Sequence, residues 1–224
     1  MDKKSFYSLK TTVDKYDNRR FGGKAGRYIN DRELDIVLNL LPEKCKILDF
    51  PVGTGRLSLF LKEKGYDCHG IDYSEQMLEL SRSRGLLKVN QGDIFNMEME
   101  KDAYDAVVSL RFFFHFNDIN KILKQAFTTL RPSGIYVFDT YNRSPRAWLP
   151  FLGKEGRVYL HKKNIIEKLA RKTGFIIEKK VSCFVFSPLI YRFLPLSIVR
   201  LLDYTENILS EDILVRIFWK LSKP

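Results

Sequence analysis

Hydrophobic and polar positions along the chain alternate between helical and strand periods, and that alternation sets the order of elements. From Asp31 onward, apolar residues at Leu34, Val37, Leu38 and Leu41 predict an amphipathic helix stopped by Pro42. CKILDF (45–50) reads as a short apolar strand that runs into a glycine turn. Leu57, Phe60 and Leu61 open the next helix, which ends at Gly65. DCHGID (67–72) predicts a second strand, after which Ser74 caps a helix carrying Met77, Leu78 and Leu80 inward. LLKVNQGD predicts a third strand. YDAVVSLRFFF predicts a fourth, almost wholly apolar, as befits a central strand covered on both faces. Asn117 and Asp118 start the helix INKILKQAFTTL, and RPSG turns the chain into a fifth strand, IYVFDTY.

Beyond Tyr141 the grammar changes. Residues 142–160 form a loop holding Pro145, Trp148 and Pro150, and a basic helix, KNIIEKLARKT, ends at Gly174. The strand FIIEKKVSCFVF, the segment SPLIYRFLPLSIVRLLDYTENI and a last strand, ILVRIFWK, complete the chain. Five strand–helix alternations and two late strands predict an α/β fold: a doubly wound, seven-stranded, mostly parallel sheet with helices on both faces. Residues 1–30 are polar and glycine-dotted and read as an N-terminal arm or cap. Residues 31–224 read as one domain with a substrate-side insertion at about 183–210.

Composition narrows the class. The 224 residues are 45% hydrophobic and 29% charged, as in an ordinary globular protein. No apolar run reaches the roughly 18 residues that span a bilayer. The start, MDKKSFYSLK, lacks the apolar core of a secretory signal, so a cytoplasmic location is expected. Cys45, Cys68 and Cys183 are odd in number and follow no zinc spacing, which predicts buried thiols, no disulfide framework and no metal site. The net charge of +11 fits an attraction to nucleic acid, an anionic membrane or an acidic substrate, and equally a lysine-rich proteome. Its clusters are Arg19, Arg20, Lys24 and Arg27, then Lys162, Lys163, Lys168, Arg171 and Lys172.

In an open parallel sheet, ligands bind beyond the carboxyl ends of the strands, where strand order reverses. The turn after the first strand holds Gly53-Thr54-Gly55, and glycine there lets the backbone approach a ligand closely. A GxG turn alone is also an ordinary tight turn. Its neighbours add meaning. Asp49 ends the first strand, Asp72 ends the second at 17 residues beyond Gly55, and Gly92-Asp93 ends the third. An acid at the second strand end suits ribose hydroxyls, and one at the third suits the exocyclic amine of adenine. Three acids on a buried rim need a partner.

The series ILDFPVGTGRLS, GIDYSEQML, QGDIFNM, YDAVVSLRFFFHF and LRPSGIYVFDTYN resembles the successive motifs of class I S-adenosylmethionine-dependent methyltransferases, in the broad methyltransferase-domain group. The likeness covers roughly residues 30–142 and more loosely 157–180. It implies that Asp49, Pro51, Gly53, Thr54 and Gly55 surround the methionine end of S-adenosylmethionine and that Asp72 holds its ribose. It further implies Tyr73 and Met77 beside the adenine, Asp93 and Ile94 holding the base, and Leu110 and Arg111 closing the site. The product would be S-adenosylhomocysteine. Pro51 departs from the family, which has glycine there, and often cysteine at Val52. Proline fixes φ and removes a backbone donor, giving either a stiffer turn or a degenerate site. A dinucleotide site fits less well. The third fingerprint position is Ser58, and Asp49 repels a pyrophosphate while suiting a sulfonium and an ammonium.

Methyl transfer needs positioning of the acceptor and, for some acceptors, proton removal. His115 is the candidate base, or else a ring that packs within FFFHF. His161 reads as a capping or surface residue and His69 as structural. Tyr16, Arg20, Arg27 and Tyr28 either close over an acidic group or belong to a solvated arm. Asp139, Thr140, Tyr141 and Asn142 end the fifth strand toward the substrate side, so Tyr28, Tyr141 and Asn142 are the substrate candidates. The absence of an Asn/Asp-Pro-Pro-aromatic run after the fourth strand disfavours adenine and glutamine N-methylation. The late insertion fits core helices, a lid over a hydrophobic substrate, or a peripheral membrane contact through 187–203. The expected function is methyl transfer to an O or N atom of a small or lipid-linked acceptor. An RNA methyltransferase and a non-catalytic cofactor-binding protein are the alternatives.

Overall fold

The structure, a computed structural model, describes residues 16–17, 21–142, 158–186, 188–191 and 193–224. Arg19, Arg20, Pro145, Trp148, Pro150 and Arg192 lie outside the described residues. Helix α1 (Gly23–Leu40) buries Ala25, Ile29, Leu34, Val37 and Leu40 along one stripe. It begins earlier than the sequence pattern predicts, inside the stretch expected to be an arm. Gly26 there serves packing: a Cβ on it would meet the Phe21 carbonyl carbon at 2.6 Å. Glycine lowered the helical signal while the close approach of Phe21 required it.

The elements that follow are β1 (Lys46–Asp49), α2 (Arg56–Glu63), β2 (Asp67–Asp72), α3 (Glu75–Ser83) and β3 (Val89–Gln91). Next come β4 (Tyr104–Ser109), a 3-10 turn (Phe113–His115), α4 (Asn120–Thr129) and β5 (Leu130–Tyr141). The C-terminal part holds α5 (Lys163–Thr173), β6 (Ile176–Cys183), α6 (Pro188–Tyr191), α7 (Leu196–Glu206), a second 3-10 turn (Glu211–Ile213) and β7 (Arg216–Ser222). Ser74 caps α3 as expected, its hydroxyl accepting from Met77 N at 3.3 Å. Gly174 ends α5 at φ 107.

The seven strands form one sheet in the order β3-β2-β1-β4-β5-β7-β6. β1 to β5 are parallel, whereas β7 runs antiparallel between β5 and β6. The expected doubly wound, Rossmann-like sheet is therefore present. Alternate strand residues feed two cores, because successive side chains point to opposite faces. Ile47, Ala106, Val108, Val137 and Phe218 pack with α1 and α2 residues such as Val37 and Leu61. Leu48, Val107, Tyr136, Phe138 and Trp219 pack with Ile122, Leu123, Ile166 and Ala170 of α4 and α5.

Two boundaries differ from the sequence pattern. The fourth strand stops at Ser109, because Arg111 turns the backbone to φ 56 and Phe113–His115 coil into the 3-10 turn. The apolarity of FFF reflects burial in an aromatic cluster, with Phe112 and Phe116 centroids 4.9 Å apart, rather than strand pairing. RPSG is absorbed into β5 as an irregularity, where the register on β4 shifts between Tyr104 and Ala106. Among the described residues no helix is long and apolar enough to cross a membrane.

Candidate functional site

Strand order reverses at β1, which has β2 on one side and β4 on the other, so a crevice opens beyond their carboxyl ends. A cavity of about 460 Å³ lies there, within the usual range for a small-molecule site. Its wall includes Asp49, Pro51, Gly53, Thr54, Asp72, Tyr73, Met77, Asp93, Ile94, Leu110, Arg111 and His115. All twelve are site residues that the sequence pattern and the resemblance point to. Gly55, expected beside the cofactor, does not line the cavity. At φ 79 it caps α2 from behind the turn, and a Cβ there would meet Ser81 at 3.1 Å.

The turn is tied down by its own acids. Asp72 accepts from Gly53 N at 2.8 Å and from Ser74 N at 2.9 Å, locking the end of β2 to the turn after β1. Burial raises its carboxyl above the ordinary value, and these backbone donors pull it back. Asp49 accepts from the Ser58 hydroxyl at 2.7 Å. Burial pushes Asp49 up to about 7, against the Ser58 bond and Arg56, with Asp72 adding to the rise. Asp93 caps the turn that follows it, accepting from Phe95 N at 3.1 Å and Asn96 Nδ2 at 2.9 Å. The Phe50–Pro51 bond is cis.

Tyr16, which the sequence offered as a residue closing over an acidic group, and four residues it did not single out complete the wall. Tyr16 and Phe21 come from the N-terminal segment, Phe112 and Phe116 from the aromatic cluster, and Tyr159 from the approach to α5. The N-terminal segment is fastened over the turn: Thr54 Oγ1 donates to Asp17 Oδ1 at 2.9 Å, and Arg84 pairs with the same carboxylate. Phe21 lies against two guanidiniums, with Arg56 Cζ 4.3 Å and Arg111 Cζ 4.7 Å from its ring centroid.

Behind the wall lies a buried charge network. Glu33 of α1 is fully buried and pairs with Arg111, Arg216 and Arg56. Arg216 also bonds Asp139 Oδ2 at 2.6 Å, and Asp139 Oδ1 accepts from Arg111 N at 2.6 Å. Burial alone would raise the Glu33 carboxyl. Arg111, Arg216 and Arg56 overcome it and hold the group well below the carboxylate range. Arg111 therefore reaches the cavity as part of this network, a role its position in SLRFFF did not reveal.

Several expected substrate residues sit elsewhere. Tyr28 donates to Asp203 of α7. Tyr141 is buried, with its ring 4.9 Å from Phe114. Asn142 Nδ2 donates to the carbonyls of Glu211, Asp212 and Leu214 at 3.4, 3.3 and 3.1 Å. Asp139 is in the charge network, and Thr140 Oγ1 accepts from Trp219 Nε1 at 2.8 Å. The two late strands turn the end of β5 inward, which local reading of DTYN could not show. Arg27 is exposed. His161, expected at the surface, is buried, and its Nε2 lies 3.2 Å from Phe113 O. His69 sits beside Tyr104, with Nδ1 3.4 Å from the hydroxyl. All three cysteines are free thiols. Cys68 and Cys183 are buried, and Cys45 is partly exposed. Among the described residues no cluster of three or more His, Cys, Asp or Glu is placed to hold a metal.

Residues 48–138 match the family model described as a methyltransferase domain. The chain is 39% identical over 111 residues to the YqeM protein of Bacillus subtilis, covering 46% of this chain and 44% of that one. It is 33% identical over 110 residues to a ubiquinone biosynthesis O-methyltransferase of Idiomarina loihiensis, covering 46% and 45%. The chain thus spans less than half the length of these relatives. Among solved structures, phosphoethanolamine N-methyltransferase 2 of Haemonchus contortus, in complex with S-adenosyl-L-methionine, aligns at a TM-score of 0.72 and 21% identity, covering 100% of this chain and 60% of that one. Residues 48–138 thus match the methyltransferase domain family, and the sheet that carries them has the Rossmann-like fold of class I S-adenosylmethionine-dependent methyltransferases.

Proposed function

We propose that this chain binds S-adenosylmethionine in the cavity and directs its methyl group to an oxygen or nitrogen of a small or lipid-linked acceptor. The observation that carries this reading is the convergence of Asp49, Asp72 and Asp93, from three successive strand ends, on one cavity beside Gly53. The residues fit the group. Asp72 accepts from the backbone of Gly53, Ser74 and Tyr73 and keeps acceptor capacity for a ribose hydroxyl. Asp49, shielded from water, suits a cationic neighbour. Ile94, Met77 and Phe95 give an apolar slot for a base.

S-adenosylmethionine, when bound, supplies a methyl group on a sulfonium. The chain's part is to orient the acceptor, exclude water and receive a proton where the acceptor carries one. His115 lines the cavity beside Phe116 and Tyr159 and is the candidate for that proton. Pro51 stiffens the turn without displacing Gly53 or Asp72. A lipid-linked acceptor, or a peripheral membrane contact through 187–203, is supported by exposed apolar side chains in and before α7: Phe193 at 84% and Leu201 at 59% exposure, with Tyr204 of α7 at 70% just beyond residue 203.

The test is incubation of the protein with labelled methyl donor and cell extract, followed by separation into organic, aqueous and RNA fractions. Label in the organic or small-molecule fraction supports the reading. Label confined to RNA overturns the acceptor class, and donor binding without any transfer overturns turnover.

A further inference from the structure

The network behind the cavity is not balanced. Arg56, Arg111 and Arg216 face Glu33 and Asp139, so three guanidiniums meet two carboxylates. Glu33 is already held by two nitrogens of Arg111 and by Arg216. Asp139 is held by two nitrogens of Arg216. Arg56 is the surplus member, with a longer 3.2 Å contact to Glu33 and a 2.8 Å bond to the neutral Asn30. A guanidinium has five donor hydrogens, and these bonds use two. The remaining acid in reach, Asp49, is turned to Ser58 and is half neutral near pH 7. Burial pushes Arg56 down and Glu33 opposes this, while Arg111 and Arg216 repel it further.

Arg56 and Arg111 both line the cavity. Both lie against the Phe21 ring, and Tyr16, Phe112 and Phe116 line the same cavity. A guanidinium pair at an aromatic wall offers planar, forked donors that match a carboxylate. A surplus buried charge is costly unless an anion meets it.

We propose that the Arg56–Arg111 wall binds a carboxylate of the methyl acceptor, which is thus an acid with a flat apolar body. The inference rests on the reading of the cavity as a methyl-donor site, and the donor's own carboxylate is the competing source. Benzoate and its neutral counterpart benzamide are the probes, titrated by calorimetry into protein saturated with S-adenosylhomocysteine.

Benzoate is expected to bind at least tenfold more tightly than benzamide, with an affinity that falls as salt rises. Arg56→Gln removes the surplus charge and leaves two guanidiniums for two carboxylates, so it should fold. It should lose the benzoate preference while keeping its affinity for S-adenosylhomocysteine. Arg56→Lys keeps the charge without the fork, so it should retain a weaker preference for benzoate, and it carries the test if the glutamine variant misfolds. Equal binding of the two probes overturns the proposal. So does a preference that survives in Arg56→Gln, or a parallel loss of S-adenosylhomocysteine affinity, which assigns the charge to the donor. If S-adenosylhomocysteine fails to bind at all, the methyl-donor reading falls, and the probe preference of the unliganded protein decides the carboxylate site separately.

Discussion

Glu33 on α1 and Arg216 on β7 form an ion pair in which neither side chain is exposed. The pair joins the first long helix to the last strand, across the whole described chain. Removing one partner of such a pair leaves an uncompensated buried charge and costs about 3–5 kcal/mol. Glu33→Ala is therefore expected to lower the melting temperature by about 6–20 °C, at roughly 2–4 °C per kcal/mol for a domain of this size. Thermal unfolding followed by circular dichroism measures it. A shift of only a degree or two would show that the network is solvated.

Asp49 makes stability depend on pH in the opposite sense to a paired carboxylate. Its folded value of about 7 lies above the ordinary 3.8, so the folded state binds the extra proton between these limits. Its contribution is fully present below the ordinary value and is lost as pH rises through 7. Asp49→Asn should remove this loss and gain stability over the parent most clearly at pH 8. Urea unfolding at pH 5 and pH 8 checks it.

The same carboxyl should report donor binding. A cationic ligand beside Asp49 favours its charged form, so S-adenosylmethionine is expected to release a proton near pH 7. Calorimetry in two buffers of different ionisation enthalpy reads the release. The Asp49→Asn variant should show none.

Asn142 separates structure from substrate contact. Its amide holds three carbonyls around the second 3-10 turn, so Asn142→Ala should cost about 1–3 kcal/mol and leave donor affinity unchanged. An intact stability with a lost methyl-transfer rate would return Asn142 to the substrate side.

For His115, Gln replacement should slow transfer about 10²-fold or more where the residue takes a proton, with donor affinity intact. The acid limb of the pH–rate profile should vanish with it. An unchanged profile would make His115 a wall residue.

Much of the sheet was legible because parallel central strands such as YDAVVS are apolar on both faces and each is punctuated by a glycine or a capping residue. The three acids were legible because strand ends fix their place within the fold. What failed were readings that depend on distant partners. Arg111 and Asp139 look like rim residues in their own segments, yet Glu33 and Arg216, remote in sequence, pull both into a buried network. Phe21 and Gly26 look like a mobile glycine-rich arm until their contact is seen. His161 sits among lysines, and only the 3-10 turn at Phe113 explains its burial.

The central claim is that Asp72, locked to Gly53 N, holds the nucleoside of a methyl donor. Titration of S-adenosylhomocysteine into the protein and into Asp72→Ala by calorimetry tests it most directly. Loss of a hydrogen-bonded charge costs about 1.5–3 kcal/mol, roughly ten- to a hundredfold in affinity, so the parent should bind and the variant should bind at least tenfold more weakly while remaining folded. No binding by the parent at millimolar ligand, or equal binding by a folded variant, would contradict the account.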